Sequence, residues 1–261
     1  MSEPPVLVSR EEELIILTLN VPARRNAIST EMRLALRDAV REALAEDACR
    51  AIVLTGAGDV FSSGADVAQM QSGETIDIDR VRLRYSILHD TVKLMCEGSK
   101  PFIAAVEGYA MGAGLSLASA CDYMIVSETA KFGAAFGKMG LIGDCGLLWT
   151  MPKRVGVAQT KDFLFSGRSL SGKEAVAIGF ADQLVGKGEA LNAAKAKARS
   201  YSSVAPLTIA ETKALLNGDY SSFAAFLAAE SAAQDRMCRS ADHDEARRAF
   251  SEQRRPDFKG C

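Results

Sequence analysis

The sequence predicts an α/β protein, with a strand-rich core over residues 1–195 and a helical region over 196–261. Two observations carry this. A plan of short apolar strand, glycine-rich loop and helix recurs through the first part, without a strict repeat of residues. The second part is rich in alanine, with Pro206 suited to a first helical turn and Gly218 to a break. A chain of 261 residues allows one large domain or one and a half.

Taken in order, residues 6–20 alternate loosely and contain "LIILTLN", which suits one or two strands ending at Pro22. Ser29 or Thr30 then caps a helix whose apolar positions Met32, Leu36, Ala39, Val40 and Ala43 keep a helical period. The buried strand "AIVLTG" runs into the loop "AGDVFSSGAD". Residues 77–97 form a second amphipathic helix, broken by Gly98 and Pro101. A strand over 101–107, a bare helix over 112–120 and the strand "YMIVSE" follow. Glycines 133, 137, 140, 143 and 146 then punctuate a loop. From about 156 onward the pattern is mostly helical, with "GFADQLV" as the last strand. Helices built of alanine and small apolar residues suit contact with another protein surface, so an oligomer contact is expected in the C-terminal region.

Composition narrows the function classes. With 48% apolar and 25% charged residues the profile is that of an ordinary globular protein. A net charge of −2 gives no basic stripe for nucleic acid. The six cysteines, at 49, 96, 121, 145, 238 and 261, form no C-x-x-C pair, and histidines do not cluster. Reduced thiols, no metal site and a cytoplasmic location are the expectation. The N-terminal "MSEPPVLVSREEE" lacks the basic and apolar regions of a signal peptide, and no apolar run has the length of a membrane span.

The stretch "GYAMGAGLSLAS", residues 108–119, holds three glycines and no charge. Three readings are open for it. Small residues permit close packing of a helix on a strand. A dinucleotide fingerprint needs a glycine or alanine where Leu117 stands, and would open a βαβ array rather than lie in mid-chain. The third reading is an anion or oxyanion site. A glycine turn into a helix leaves backbone N–H groups unpaired at the positive end of the helix dipole. A second turn of this kind, "FSSGADV" at 61–67, also follows a buried strand. Two such turns place two donors on one oxygen.

Here the sequence resembles a known family. "FSSGAD", "KPFIAAVEGYAMGAGLSLASACDYMIVSETAKFG", "KMGLIGDCG", "LLWTMPKRVG", "FSGRSLSGKEAVAIGFADQLV" and the terminal "AFSEQRRPDFKG" are similar to the crotonase, or enoyl-CoA hydratase/isomerase, superfamily. The resemblance runs from about residue 6 to the C-terminus. It implies a spiral of ββα turns, a helical C-terminal trimerisation region, and assembly as a homotrimer or a dimer of trimers. It also implies an acyl-CoA thioester substrate, with coenzyme A as part of the substrate rather than a cofactor. The shared step would be an enolate held in an oxyanion hole, whose donors fall on the N–H groups of Ala65 and Ala113. Gly64, Met111, Gly112, Phe136 and Met139 would bind the substrate.

The resemblance places the two glutamates used by hydratases at Ser116 and Phe136, neither of which is a carboxylate. One acid stands in the right segment, Asp144. As a residue ahead of a short helix it suits an N-cap, but family branches that move a double bond have an acid at this position. A single carboxylate can take a proton from C2 and return it at C4 if the dienolate between is stabilised. The resemblance therefore implies isomerisation of a 3-enoyl-CoA to a 2-enoyl-CoA type product. Alternatives are a hydratase of atypical site, a non-catalytic CoA-ester-binding member, and a 4-chlorobenzoyl-CoA dehalogenase-like hydrolase with Asp144 as nucleophile and His89 as base. That last branch prefers tryptophan where Phe136 stands.

"PARRNAIS" is similar to the family's coenzyme A contact loop, which assigns Arg24, Ala27 and the backbone near Asp66 to the adenine and pantetheine. Phe250 matches an aromatic that flanks the adenine. The basic residue expected three positions later is Gln253, with Arg254 beside it. The polar segment 68–82 is expected to cover the acyl tail.

Overall fold

The computed structural model describes residues 3–66 and 77–261. Its main sheet has six strands: β1 (Val6–Glu11), β2 (Leu14–Leu19), β3 (Ala51–Gly56), β4 (Phe102–Val106), β6 (Tyr123–Ser127) and β9 (Gln183–Val185), adjacent in that order. The first pair is antiparallel, turning at Glu12 with φ +55°, and every later pairing is parallel. A smaller sheet joins β5 (Tyr109–Met111), β7 (Lys131–Gly133) and β8 (Ser169–Ser171).

The connections make the spiral. α1 (Thr30–Ala45) links β2 to β3, and α2 (Ile78–Glu97) precedes β4. β4 then passes to β5 and α3 (Ala113–Ser119), and β6 passes to β7 and α4 (Leu147–Ser166). Each of these two turns gives one strand to the large sheet, one to the small sheet, and then a helix. α4 breaks at Gly156, where φ is +76° and ψ 164°. Pro152 stands within its first stretch.

Both faces of the large sheet are covered, as parallel strands require. Ile15, Leu17, Ile52, Leu54, Phe102, Ala104, Met124 and Val126 point to the main core, with Met32, Leu36 and Val40 of α1. The alternate residues Leu14, Ile16, Ala51, Val53, Ile103, Ala105 and Ile125 meet α6 (Ala190–Tyr201) on the other face. Its Ala190, Ala194 and Ala198, four apart, let that helix lie close to the strands. Ser29 rather than Thr30 caps α1, its hydroxyl accepting from the Met32 N–H.

α5 (Gly172–Ala177) carries a capping box, Ser171 with Glu174. α7 (Pro206–Asn217), α8 (Phe223–Cys238) and α9 (Ala241–Ser251) follow, with Pro206 in the first turn of α7 and Gly218 at its end. Lys213 fastens α7 to the core. Its ammonium donates to Asp122 Oδ2 at 2.6 Å and to the carbonyls of Met95 and Lys100 at 2.7 and 2.9 Å.

The structure departs from the sequence reading in its three short strands, β5, β7 and β8, and in α4, which begins at Leu147 rather than near 156. Tyr109–Met111 reads as the approach to a helix but pairs as β5, and the helix starts at Ala113. Residues 109–111 are held by Lys131–Gly133 on one side and Ser62 on the other, so long-range pairing sets their conformation.

Candidate active site

Two backbone turns meet above the main core. After β3 the chain runs through Phe61 and Ser62, whose N–H groups donate to Glu107 and Tyr109 carbonyls, while Met111 N–H returns a bond to the Ser62 carbonyl at 3.0 Å. This short ladder sets the 62–65 turn beside β5. Gly64 takes φ +90° and Gly112 φ +49° with ψ −119°, conformations that favour glycine. A Cβ on Gly64 would stand 2.6 Å from the Met111 carbonyl oxygen and 3.6 Å from the Ala113 nitrogen. Backbone thus meets backbone with no side chain between, and the small residues of the bare stretch are what allow it.

Ala65 follows the first turn and Ala113 opens α3. The Ala113 N–H has no acceptor within its own helix, as for any first helical residue. Among the described residues neither the Ala65 nor the Ala113 amide donates to a backbone carbonyl. Both residues line one cavity, with Gly64, Asp66, Met111, Gly112, Phe136, Met139 and Asp144 from the sequence reading. Ile28, Leu141 and Ala135 add to its apolar wall.

Asp144 stands in the loop between the turn Gly137–Met139 and α4. It is no helix cap: Gly146 occupies the N-cap position of α4 and no side chain caps there. The loop is held through the backbone, with Ser116 Oγ donating to the Asp144 carbonyl at 2.9 Å and Leu147 N–H donating to it at 3.0 Å. Asp144 Oδ1 is buried without a hydrogen-bond partner. Burial pushes the Asp144 carboxyl up from the ordinary aspartate range, the Cys145 thiol and the charges of Arg33 and His89 acting the other way. A carboxylate so placed is poised to take and return a proton.

The two positions at which the resemblance would put glutamates are occupied otherwise. Ser116 is fully buried beneath the cavity, and Phe136 packs in its wall, 3.9 Å from where a Gly112 Cβ would lie. His89 is exposed, stacks on Tyr85 with ring centroids 6.0 Å apart, and lies beside Lys93, Cys96 and Trp149 rather than among the residues lining the cavity.

Arg24 and Ala27 lie next to the cavity rather than in its lining. Arg24 donates to Asp66 Oδ1 at 2.6 Å, joining the 22–24 turn to the 62–66 turn. Buried Asn26 fixes the same loop, donating to the carbonyls of Ala57 and Val60 and accepting from Val21 N–H. Phe250 is 88% exposed on α9, and Arg254 pairs with Glu245 and Glu252, so neither meets the cavity within this chain. Residues 68–76 of the polar segment lie outside the described residues.

The sequence did not single out several lining residues, among them Arg33, Arg84 and Tyr85. Arg33 is 8% exposed and donates from Nη1 to the Arg84 carbonyl at 2.9 Å. Its helical register was the available signal. It lies three and seven residues before Leu36 and Val40, at the margin of the buried stripe. Among the described residues there is no cluster of three or more His, Cys, Asp or Glu fit for a metal ion, and no helix long and apolar enough to cross a membrane.

The chain is similar to known proteins over nearly its whole length. Residues 9–261 match the enoyl-CoA hydratase/isomerase family. The chain is 32% identical to the 1,2-epoxyphenylacetyl-CoA isomerase of Escherichia coli K12, over 98% of each chain. It is 30% identical to the crotonyl-CoA hydratase of Syntrophomonas wolfei, over 99% of each. Among solved structures, an enoyl-CoA hydratase from Polaromonas sp. JS666 superposes with a TM-score of 0.91 at 30% identity, covering 97% of this chain and 99% of that one. One from Bacillus anthracis gives 0.92 at 27% identity, covering 98% and 100%. The crotonase fold and the match over nearly the whole length establish that this chain belongs to the enoyl-CoA hydratase/isomerase family.

Proposed function

We propose that the protein shifts a carbon–carbon double bond in an acyl-CoA thioester, converting a 3-enoyl-CoA to the conjugated 2-enoyl-CoA. One observation carries the reading: Asp144 is a partly buried acid in the cavity lined by Ala65 and Ala113, whose other acid, Asp66, is bonded to Arg24, while Ser116 and Phe136 stand where two glutamates would serve a hydratase. The Escherichia coli relative is an isomerase of a CoA thioester, 1,2-epoxyphenylacetyl-CoA, which supports isomerisation as the reaction class.

The thioester oxygen accepts from the Ala65 and Ala113 amides. The Asp144 carboxylate takes a proton from C2, and the C2–H electron pair moves toward the thioester oxygen as a dienolate. The protonated Asp144 then gives the proton to C4, the C3–C4 double bond becomes C2–C3, and the carboxylate is restored. Each amide contributes about 10²–10³ in rate, and a positioned acid–base group about 10²–10⁴. Phe136, Met139 and Leu141 give the intermediate an apolar wall.

Coenzyme A would approach over the 22–27 loop, where Arg24 offers a cation at the entrance. Assembly as a trimer or dimer of trimers is part of the same proposal, supported by exposed Trp149 and Phe165 of α4, Leu216 of α7 and Phe223 of α8.

The test offers 3-hexenoyl-CoA, 2-hexenoyl-CoA and 4-chlorobenzoyl-CoA in parallel. Double-bond migration that disappears in Asp144→Ala supports the reading. Hydration of 2-hexenoyl-CoA as the main reaction, or release of chloride, overturns it.

A further inference from the structure

The same cavity holds more positive charge than its proton chemistry uses. Two guanidinium groups, Arg33 and Arg84, line it beside Asp144 and Asp66. Asp66 is bonded to Arg24, which leaves Asp144 as the acid facing the two arginines. Among the described residues neither guanidinium has a carboxylate within ion-pairing distance; Arg33 makes one bond to a backbone carbonyl, and its Nε is buried without an acceptor. The two act on each other as like charges, and burial holds the Arg33 guanidinium below its ordinary value.

A guanidinium taken out of water needs acceptors, because an uncompensated buried charge is costly. Nothing in the fold requires this one. The neighbouring positions of α1 that face the core, Met32, Leu36 and Val40, are apolar, and Arg33 stands at the edge of that stripe toward the cavity. Its fork offers the geometry that matches a carboxylate. A neutral oxygen on the ligand would satisfy the free Nε but leave the surplus charge, whereas a carboxylate answers both.

We infer that the acyl group carries a second carboxylate, beyond the carbons at which Asp144 works, and that Arg33 and Arg84 bind it. The substrate class is then the CoA monothioesters of unsaturated dicarboxylic acids. This rests on reading the cavity as the acyl site, and it names the substrate of the isomerisation proposed above.

The test uses saturated thioesters, which cannot isomerise, so that binding is read apart from turnover. Adipoyl-CoA, 5-oxohexanoyl-CoA and hexanoyl-CoA are titrated calorimetrically into the full-length protein, its Arg33→Met variant and its Arg84→Met variant. The wild type should bind adipoyl-CoA at least about ten-fold more tightly than either neutral ligand. That ratio should collapse toward one in Arg33→Met and shrink in Arg84→Met. Equal or tighter binding of hexanoyl-CoA by the wild type overturns the inference. So does 5-oxohexanoyl-CoA binding as tightly as adipoyl-CoA, or a preference that survives in both variants. Arg33→Met removes a half-satisfied buried group; should it fail to fold, the wild-type ratio and Arg84→Met still decide. Failure of the isomerase reading would show separately, as absence of double-bond migration with 3-hexenoyl-CoA and 3-hexenedioyl-CoA alike.

Discussion

The Ser116 hydroxyl donates a 2.9 Å hydrogen bond to the backbone carbonyl of Asp144. The bare helix that opens at Ala113 therefore also holds the acid in place, through its fourth residue. Ser116→Ala should cost about 1 kcal/mol of stability, the usual net worth of such a bond. It should lower kcat more than KM, as read from denaturant unfolding and steady-state kinetics. Ser116→Glu should not create a hydratase. The site is fully buried, and the larger charged side chain has no room there.

Gly64 sets the approach of the two turns. With φ at +90° and a Cβ position 2.6 Å from the Met111 carbonyl, Gly64→Ala must push the turns apart. If both amides act on one oxygen, kcat should fall by about 10²–10³, the cost of a lost oxyanion donor. A thermal melt would show whether the fold persists. Gly140, which also has positive φ but no atom within 4 Å of its Cβ position, is the control: Gly140→Asn should leave kcat near the wild-type value.

Asp144 should reveal its burial in two pH profiles. As the base it must be ionised in the free enzyme, so kcat/KM should fall with acid along a limb lying above the ordinary aspartate range. The stability effect has the opposite sense to a salt-bridged acid. A folded-state value raised above the unfolded one means the cost of the buried charge is absent below the unfolded pKa. It grows as pH rises through the folded pKa. Asp144→Asn should therefore be more stable than wild type at pH 7, with the difference closing below about pH 4. Tyr85, Cys145, His89 and Arg33 interact with this carboxyl, so the profile of Arg33→Met should shift its acid limb upward.

Lys213 tests the attachment of the C-terminal helices apart from the chemistry. Its side chain is 6% exposed and bound to Asp122 and two carbonyls. Lys213→Met would leave the Asp122 carboxylate, 31% exposed, opposite an apolar group, and desolvation already pushes that carboxyl up against the pull of the lysine. Loss of these charge-assisted hydrogen bonds should cost about 1.5–3 kcal/mol. Urea unfolding should show it.

Much of this was legible in the sequence, for identifiable reasons. Met32, Leu36, Ala39, Val40 and Ala43 keep a helical period, and all five are buried on α1. "AIVLTG" opens on four successive apolar residues because it becomes β3, which is covered on both faces. The paired turns were visible because backbone sites leave glycines in place of reactive side chains. The strands β5, β7 and β8, three residues each, were not visible, since so short a run has no period and is fixed by its partners. Arg33 was hidden for a related reason. An arginine next to Met32 reads as a solvated charge until α2 crosses it and brings the Arg84 carbonyl within 2.9 Å.

The most direct test of the central claim follows the proton itself. 3-Hexenoyl-CoA carrying deuterium at C2 is converted in ordinary water, and the product is examined by mass spectrometry and NMR. One carboxylate serving both carbons predicts that a measurable fraction of the 2-hexenoyl-CoA carries the label at C4, and that Asp144→Asn forms no product. Product labelled at C2 alone, with no deuterium at C4, or undiminished conversion by Asp144→Asn, would contradict it.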